Sequence, residues 1–224
     1  MGTYTQAATA AEKVDSVFLF VFALSVAFLI AITGVMIYFV IRYSRRRNPK
    51  AAPVGHHTAL EITWTVIPLI LFLAIFYYGW TDFSYIRNAP RDAMVVDVTA
   101  RQWSWSFKYP NGKQTTELYA AVNRPVKVDL HSADVIHGFF VPAFRIKMDV
   151  VPGRVNSIWF QPTKLGSYDI ECTVICGTGH SYMLSKVVVV SEEEFKRWYF
   201  GGDDAPPPGQ TAPAPAGAAG APAK

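Results

Sequence analysis

The stretch MVVDVTARQWSWSFKYPNGK, residues 94–113, decides the fold of this 224-residue chain. From Met94 the pattern changes to a period of two. VVDVTA alternates apolar and polar residues, and RQWSWSFKY continues the alternation, which places Trp103, Trp105, Phe107 and Tyr109 on one strand face. Asn111-Gly112 suits a tight hairpin turn. Downstream, further strands are expected at Val126–His131, Ile136–Val141, Phe144–Met148, Val155–Phe160, Tyr168–Glu171 and Leu184–Val190. Turn residues separate several of them, at Asn123-Arg124-Pro125, Val151–Arg154 and Lys164–Gly166. Many short strands with this punctuation predict an antiparallel barrel or sandwich. Residues 91–200 are enough for one hydrophobic core, with a short closing helix over Glu192–Tyr199. Residues 201–224 are low-complexity and rich in Pro and Ala, so an extended or mobile tail is expected.

Upstream of Met94 the chain reads as two membrane anchors. Ser16 to Ile41 holds no charge over 26 residues, long enough to cross the roughly 30 Å hydrocarbon layer. Glu12, Lys13 and Asp15 precede it where a signal peptide would carry a basic region, which argues against a removable leader. Ile62 to Thr81 is a second uncharged run, of 20 residues, with Pro68 near its start and Trp64, Tyr77, Tyr78 and Trp80 near its ends. Residues 42–61 between them carry Arg42, Arg45, Arg46, Arg47 and Lys50. A short basic loop is retained in the cytoplasm. Residues 1–15 and the domain after the second helix then face the periplasmic side. Glu61 stands at the start of the second span. Its position alone favours a solvated carboxylate over a point where protons enter.

The formal net charge of +4 is mostly this loop, since residues 91–200 carry 13 Lys/Arg against 11 Asp/Glu. No arginine-rich helix or other nucleic-acid motif is present in that region, so the basic balance reports topology and not DNA or RNA binding.

The chemistry is concentrated in CTVICGTGHSYM, residues 172–183. Cys172-x3-Cys176-x3-His180-x2-Met183, with His137 upstream, assembles two thiolates, two imidazoles and a thioether. Hard ions prefer oxygen, whereas this soft set suits copper. Dense ligands of this kind come from a loop, because a strand sends alternate residues to opposite faces. Alternatives stay open at this point. The chain has only two cysteines, and a disulfide is the plain reading of an arbitrary secreted pair, but the spacing of the histidine and methionine favours metal. A structural Cys2His2 zinc module competes, although zinc-ribbon pairs are usually CxxC. His137 alone reads equally as an ordinary core histidine, and Met183 alone as core filler. His131 is a competing ligand candidate on a strand. There is no CxxCH, so no covalent haem c is expected.

Taken together, LEITWTVIP, RQWSWSFKY, ADVIHGFFVPAFRIKMDVVPGR and CTVICGTGHSYM resemble subunit II of the haem–copper respiratory oxidases, the cytochrome c oxidase family. The resemblance spans Val14 to about Phe200. It implies a two-helix transmembrane hairpin plus an all-β cupredoxin-like domain carrying a dinuclear copper centre, CuA. By that resemblance Cys172 and Cys176 are bridging thiolates. His137 and Met183 bind one copper, and His180 and the backbone carbonyl of Val174 bind the other. Trp103 matches the aromatic residue at the surface where electrons enter, and Trp105 beside it supports packing. Asp134 and Asp149 match acidic positions near the copper loop, suited to tuning it or docking a donor. Glu61 matches the carboxylate at the mouth of a proton channel in the catalytic subunit. The partners implied are that haem–copper subunit I, subunit III, membrane lipid, and a cytochrome c-type donor or another respiratory complex. The setting implied is the bacterial inner membrane, with both termini and CuA periplasmic. Oxygen reduction and proton pumping belong to the catalytic subunit. A membrane-anchored copper chaperone or electron carrier without oxidase activity is the alternative class.

Two departures qualify the resemblance. Val174 stands where the family commonly has a glutamate whose side chain also serves an adjacent Mg2+ or Mn2+ site, so the resemblance puts that site in doubt or implies that it is built differently. The segment PNGKQTTE holds only Glu117 as an acid, so a strongly basic cytochrome would find weak steering there.

Overall fold

The computed structural model describes residues 6–50, 53, 55–201 and 208. It divides into two compact units, Lys13–Tyr85 and Ile86–Lys224 with Met1–Glu12. The Pro/Ala-rich tail expected at 201–224 lies outside the described residues apart from Gly201 and Pro208.

Two helices, α1 (Thr9–Arg42) and α2 (Thr58–Arg87), build the first unit. Both outrun their uncharged cores, because backbone hydrogen bonding continues into polar flanks. There Lys13 pairs with Asp82 at 3.4 Å and lies over the Tyr85 ring. The Asn48 side chain donates to the Arg42 carbonyl at 2.8 Å and satisfies one of the acceptors left at the end of α1. The most apolar windows of the two helices have mean hydropathies of 2.7 and 2.2, and neither is buried within the protein. A helix apolar all round and uncovered by protein belongs in hydrocarbon.

The second unit is all-β. Its strands are β1 (Met94–Arg101), β2 (Ser104–Lys108), β3 (Gln114–Thr115), β4 (Leu118–Ala121) and β5 (Val126–Ser132). They continue with β6 (His137–Val141), β7 (Ile146–Val150), β8 (Asn156–Phe160), β9 (Gly166–Cys172) and β10 (Leu184–Val190). One sheet runs β3-β2-β1-β5-β8 and the other β4-β10-β9-β6-β7. Most pairs are antiparallel, but β1 pairs parallel with β5, and β4 with β10. Inward residues of both sheets form one core that includes Val96, Val98, Phe107, Leu118, Leu130, Phe139 and Ile170. Fully burying each such side chain contributes about 1.5–3 kcal/mol.

Three local points differ from what the sequence suggested. RQWSWSFKY is not one strand: β1 ends at Arg101, β2 starts at Ser104, and Gln102-Trp103 forms the hairpin turn between them. Trp105, Phe107 and Tyr109 are buried as expected, but Trp103 lies off that face and is 40% exposed. The strand expected at Phe144 begins at Ile146, because Pro142 opens a 3-10 turn over Pro142–Phe144 that closes with Arg145 at φ +56°. Third, β4 has no alternation to read, since all four residues of LYAA are buried. Helix α3 (Glu192–Phe200) packs over it, with Trp198 against Tyr109 and Tyr119 at ring separations of 5.0 Å.

The N-terminal segment also does more than precede a helix. Ala7 N–H donates to the Ala143 carbonyl, and Thr163 N–H donates to the Ala7 carbonyl. Ala7, Ala8 and Ala10 are buried in the β core.

Candidate metal centre

Sheet pairing closes the gap of 35 residues between His137 and Cys172. β6 runs antiparallel to β9 with Phe139 opposite Cys172, so His137 stands beside the loop that follows β9. The loop closes on itself through backbone bonds His180 to Gly177 and Tyr182 to Gly179, and a 3-10 turn over His180–Tyr182 returns the chain to β10. Gly138 lets the loop approach β6, because a Cβ there would overlap the Thr173 hydroxyl.

The ligand atoms form a chain of near-equal steps. His137 Nδ1 lies 3.9 Å from Cys172 Sγ, which is 3.8 Å from Cys176 Sγ, which is 3.7 Å from His180 Nδ1. Met183 Sδ is 3.9 Å from Cys176 Sγ, and the Val174 carbonyl oxygen is 3.4 Å from Cys172 Sγ. A disulfide needs sulfurs about 2.05 Å apart, so the two cysteines are free thiols. With metal–sulfur bonds near 2.3 Å and metal–nitrogen bonds near 2.0 Å, neighbouring ligands on one tetrahedral ion stand about 3.5–3.8 Å apart. The observed spacing fits ions held between these atoms. His137 and Met183 are fully buried, and Cys172 and Cys176 nearly so. Burial, then the hydrogen bond and charge of Cys172, push the Cys176 thiol up. A metal must therefore displace its proton on binding.

Asp134 orients the upstream imidazole. Its Oδ1 stands 2.8 Å from His137 Nε2 and accepts from the Val135 N–H at 2.7 Å, while Oδ2 accepts from the Gln102 N–H at 2.7 Å. Partial burial works to raise this carboxyl, but the His137 hydrogen bond and the two backbone donors outweigh it and hold it at about 2. An ionised acceptor on Nε2 keeps the proton there and leaves the Nδ1 lone pair toward Cys172.

The other sequence candidates separate. Trp103 lies on the metal loop: its Nε1 donates to the Cys176 carbonyl at 3.2 Å. Trp105 is buried, and its Nε1 donates to the Met183 carbonyl at 3.4 Å. Asp149 is exposed on β7, opposite Gly138 in the ladder, and is not in the His/Cys cluster. His131 lies 3.6 Å from Asp97 and is likewise outside that cluster. Glu61 belongs to the helical unit, where His56 Nδ1 stands 3.4 Å from its carboxylate. Sequence reading missed Gln102, whose Nε2 donates to the Cys176 carbonyl at 2.7 Å. Nor did it single out Gly177 and Gly179. Both lie against Trp103, and a Cβ on Gly179 would overlap the indole.

Together these features define a membrane-anchored β protein with a buried thiolate, imidazole and thioether set. Comparison with known proteins gives the family. The transmembrane domain of cytochrome c oxidase subunit II matches residues 1–80, and its periplasmic domain matches residues 113–191. The chain is 30% identical to cytochrome c oxidase subunit 2 of Cereibacter sphaeroides over 219 residues, covering 80% of this chain and 72% of that one. It is 28% identical to a probable cytochrome c oxidase subunit 2 of Rickettsia bellii, covering 88% and 82%. The crystal structure of the periplasmic domain of the Bradyrhizobium japonicum subunit is 34% identical, with a TM-score of 0.48, over 50% of this chain and 95% of that one. The chain belongs to the cytochrome c oxidase subunit II family. It is thus an inner-membrane subunit of a haem–copper oxidase, with two transmembrane helices and a cupredoxin-like domain.

Proposed function

We propose that this chain takes electrons from a cytochrome c-type donor at a dinuclear copper centre and passes them to the haem–copper subunit that reduces oxygen to water. The observation that carries this reading is the run of ligand atoms, His137–Cys172–Cys176–His180, at 3.7–3.9 Å with Met183 beside it. Cys172 and Cys176 would bridge two ions, and the two imidazoles, Met183 and the Val174 carbonyl would complete them. A thiolate-bridged copper pair supplies a one-electron carrier whose charge is shared over both ions. The residues do the rest. Burial excludes water from the thiolates, and Asp134 holds His137 in the ligating tautomer. The half-exposed Trp103 offers the donor an aromatic contact one hydrogen bond from Cys176.

On this reading both termini and the copper site face the periplasmic side, which the basic loop between the helices supports. Partners on this reading are subunits I and III, lipid, and the donor. No Mg2+ or Mn2+ ligand comes from Val174, whose side chain is aliphatic. Glu61 is the proton-channel entrance: Glu61→Gln should slow proton uptake by the assembled oxidase while copper content holds. Unchanged uptake would return Glu61 to a solvated boundary residue.

Metal analysis and EPR of the full chain, purified in detergent and loaded with copper, test the centre. Two coppers per chain and an unpaired electron shared between two copper nuclei are expected. One copper, or preferential retention of zinc, overturns the reading.

A further inference from the structure

Beside Trp103, the β1–β2 turn carries a second polar side chain that offers no ligand atom yet touches both halves of the site. Gln102 Nε2 donates to the Cys176 carbonyl at 2.7 Å, and Trp103 Nε1 donates to the same oxygen at 3.2 Å. A carbonyl has two lone pairs, so this one is filled. The Gln102 backbone N–H donates to Asp134, whose other oxygen meets His137 Nε2. One residue therefore joins the turn to the cysteine loop through its side chain and to the imidazole through its backbone. The contact is close: a Cβ on Gly177 would stand 3.0 Å from Gln102 Nε2 and 3.2 Å from the Trp103 ring.

We propose that Gln102 is a positioning residue that locks the Trp103 indole onto the metal loop, and so holds the route by which electrons reach Cys176. The proposal rests on the copper reading above. An exposed ring on a two-residue turn has freedom to swing. Its own 3.2 Å hydrogen bond is longer than the one Gln102 makes beside it. Electron transfer falls steeply with separation and contact, so a loosened indole slows transfer without releasing metal. Gln102 thus acts through geometry and not through ligation.

The test uses Gln102→Met, which keeps the length of the side chain and removes its donor, and Gln102→Glu, which sets an acceptor against the carbonyl. In the metal-free full chain, solvent exchange of the Trp103 indole N–H is followed by NMR with the Trp105 indole N–H as internal reference. Exchange at Trp103 should quicken roughly five- to tenfold in Gln102→Met, the worth of one hydrogen bond, and further in Gln102→Glu, with Trp105 unchanged. In the assembled oxidase, donor oxidation should slow about tenfold in Gln102→Met at unchanged copper content. Trp103 exchange equal to wild type overturns the proposal. So does faster exchange at both indoles with a lowered midpoint, which is the mark of a merely structural role. If the wild-type chain holds no copper pair, the copper reading fails, and the metal-free exchange comparison still decides the role of Gln102.

Discussion

Gly179 shows how little space separates the metal loop from the surface indole. A Cβ there would overlap Cδ2 of Trp103 and stand 2.6 Å from Cε3. The ring cannot retreat into the loop, so Gly179→Ala should push it outward. The expected cost is about 1–3 kcal/mol of stability, as for other overpacked sites. Tryptophan fluorescence should move to longer wavelength as the ring gains solvent, and a wild-type spectrum and melting midpoint would show that the loop absorbs the methyl. The same scale explains what sequence could and could not name. Cys172, Cys176, His180 and Met183 were legible because they share one short loop, and residue type reports ligand softness. Gln102 was invisible, since glutamine on a strand-like alternation reads as an ordinary outward polar residue.

At the scale of elements, β4 is the edge strand of its sheet, bonded only to β10. At Tyr119 its outward backbone groups are both satisfied by one phenol. The Tyr109 hydroxyl donates to the Tyr119 carbonyl at 2.9 Å and accepts from the Tyr119 N–H at 2.6 Å. Burial drives the Tyr109 hydroxyl far above the usual phenol range, so it stays protonated and able to donate. Tyr109→Phe leaves both buried backbone groups unpartnered and should cost roughly 2–4 kcal/mol in denaturant unfolding. A change within error would mean that water replaces the phenol. Helix α3, which covers β4, is capped by Ser191, whose hydroxyl accepts from the Glu194 N–H at 3.2 Å. Glu192 in its first turn is held at about 2, by hydrogen bonds from Arg124 first and Lys196 second. Its pKa is depressed on folding. The stabilisation it gives is therefore present above the unfolded-state value near 4.3 and is lost as pH falls toward 2. The melting-midpoint gap between wild type and Glu192→Gln should be constant above pH ~5 and close between pH ~5 and ~2. The pair is on the surface, so the gap is expected to be small. A gap that widens on acidification would reverse the assignment.

For the whole molecule, on the proposed function, charge decides how a donor is drawn in. Residues 91–200 are net +2, and the expected acidic contact Asp134 is already shared among His137, Gln102 and Val135. What the site presents outward is apolar: Trp103, Ile175 and Tyr182 are exposed around it, the last two at 85% and 82%. Steering by long-range attraction should be weak, because few opposing charges remain for salt to screen. The rate of reduction by the native donor is therefore expected to change little with ionic strength and to fall in Trp103→Ala at constant copper content. A steep loss of rate with salt, with no effect of Trp103→Ala, would point instead to docking by charge.

Sequence alone determined the two anchors, the all-β domain and the run of soft side chains that carries the copper proposal. These are carried by composition, period and residue type, which need no knowledge of what lies across the fold. Tertiary structure decided the rest. It turned an apparently continuous aromatic strand at Trp103, because the hairpin is set by pairing of β1 with β2 and not by alternation. It made a strand of LYAA, whose four buried residues carry no period, because β10 and α3 cover it. It also separated Asp134 from Asp149. Two aspartates of equal promise in sequence are divided by where their carboxylates end: Asp134, three residues before His137, turns to 2.8 Å from its Nε2, whereas the sheet sets Asp149 opposite Gly138 and leaves it exposed.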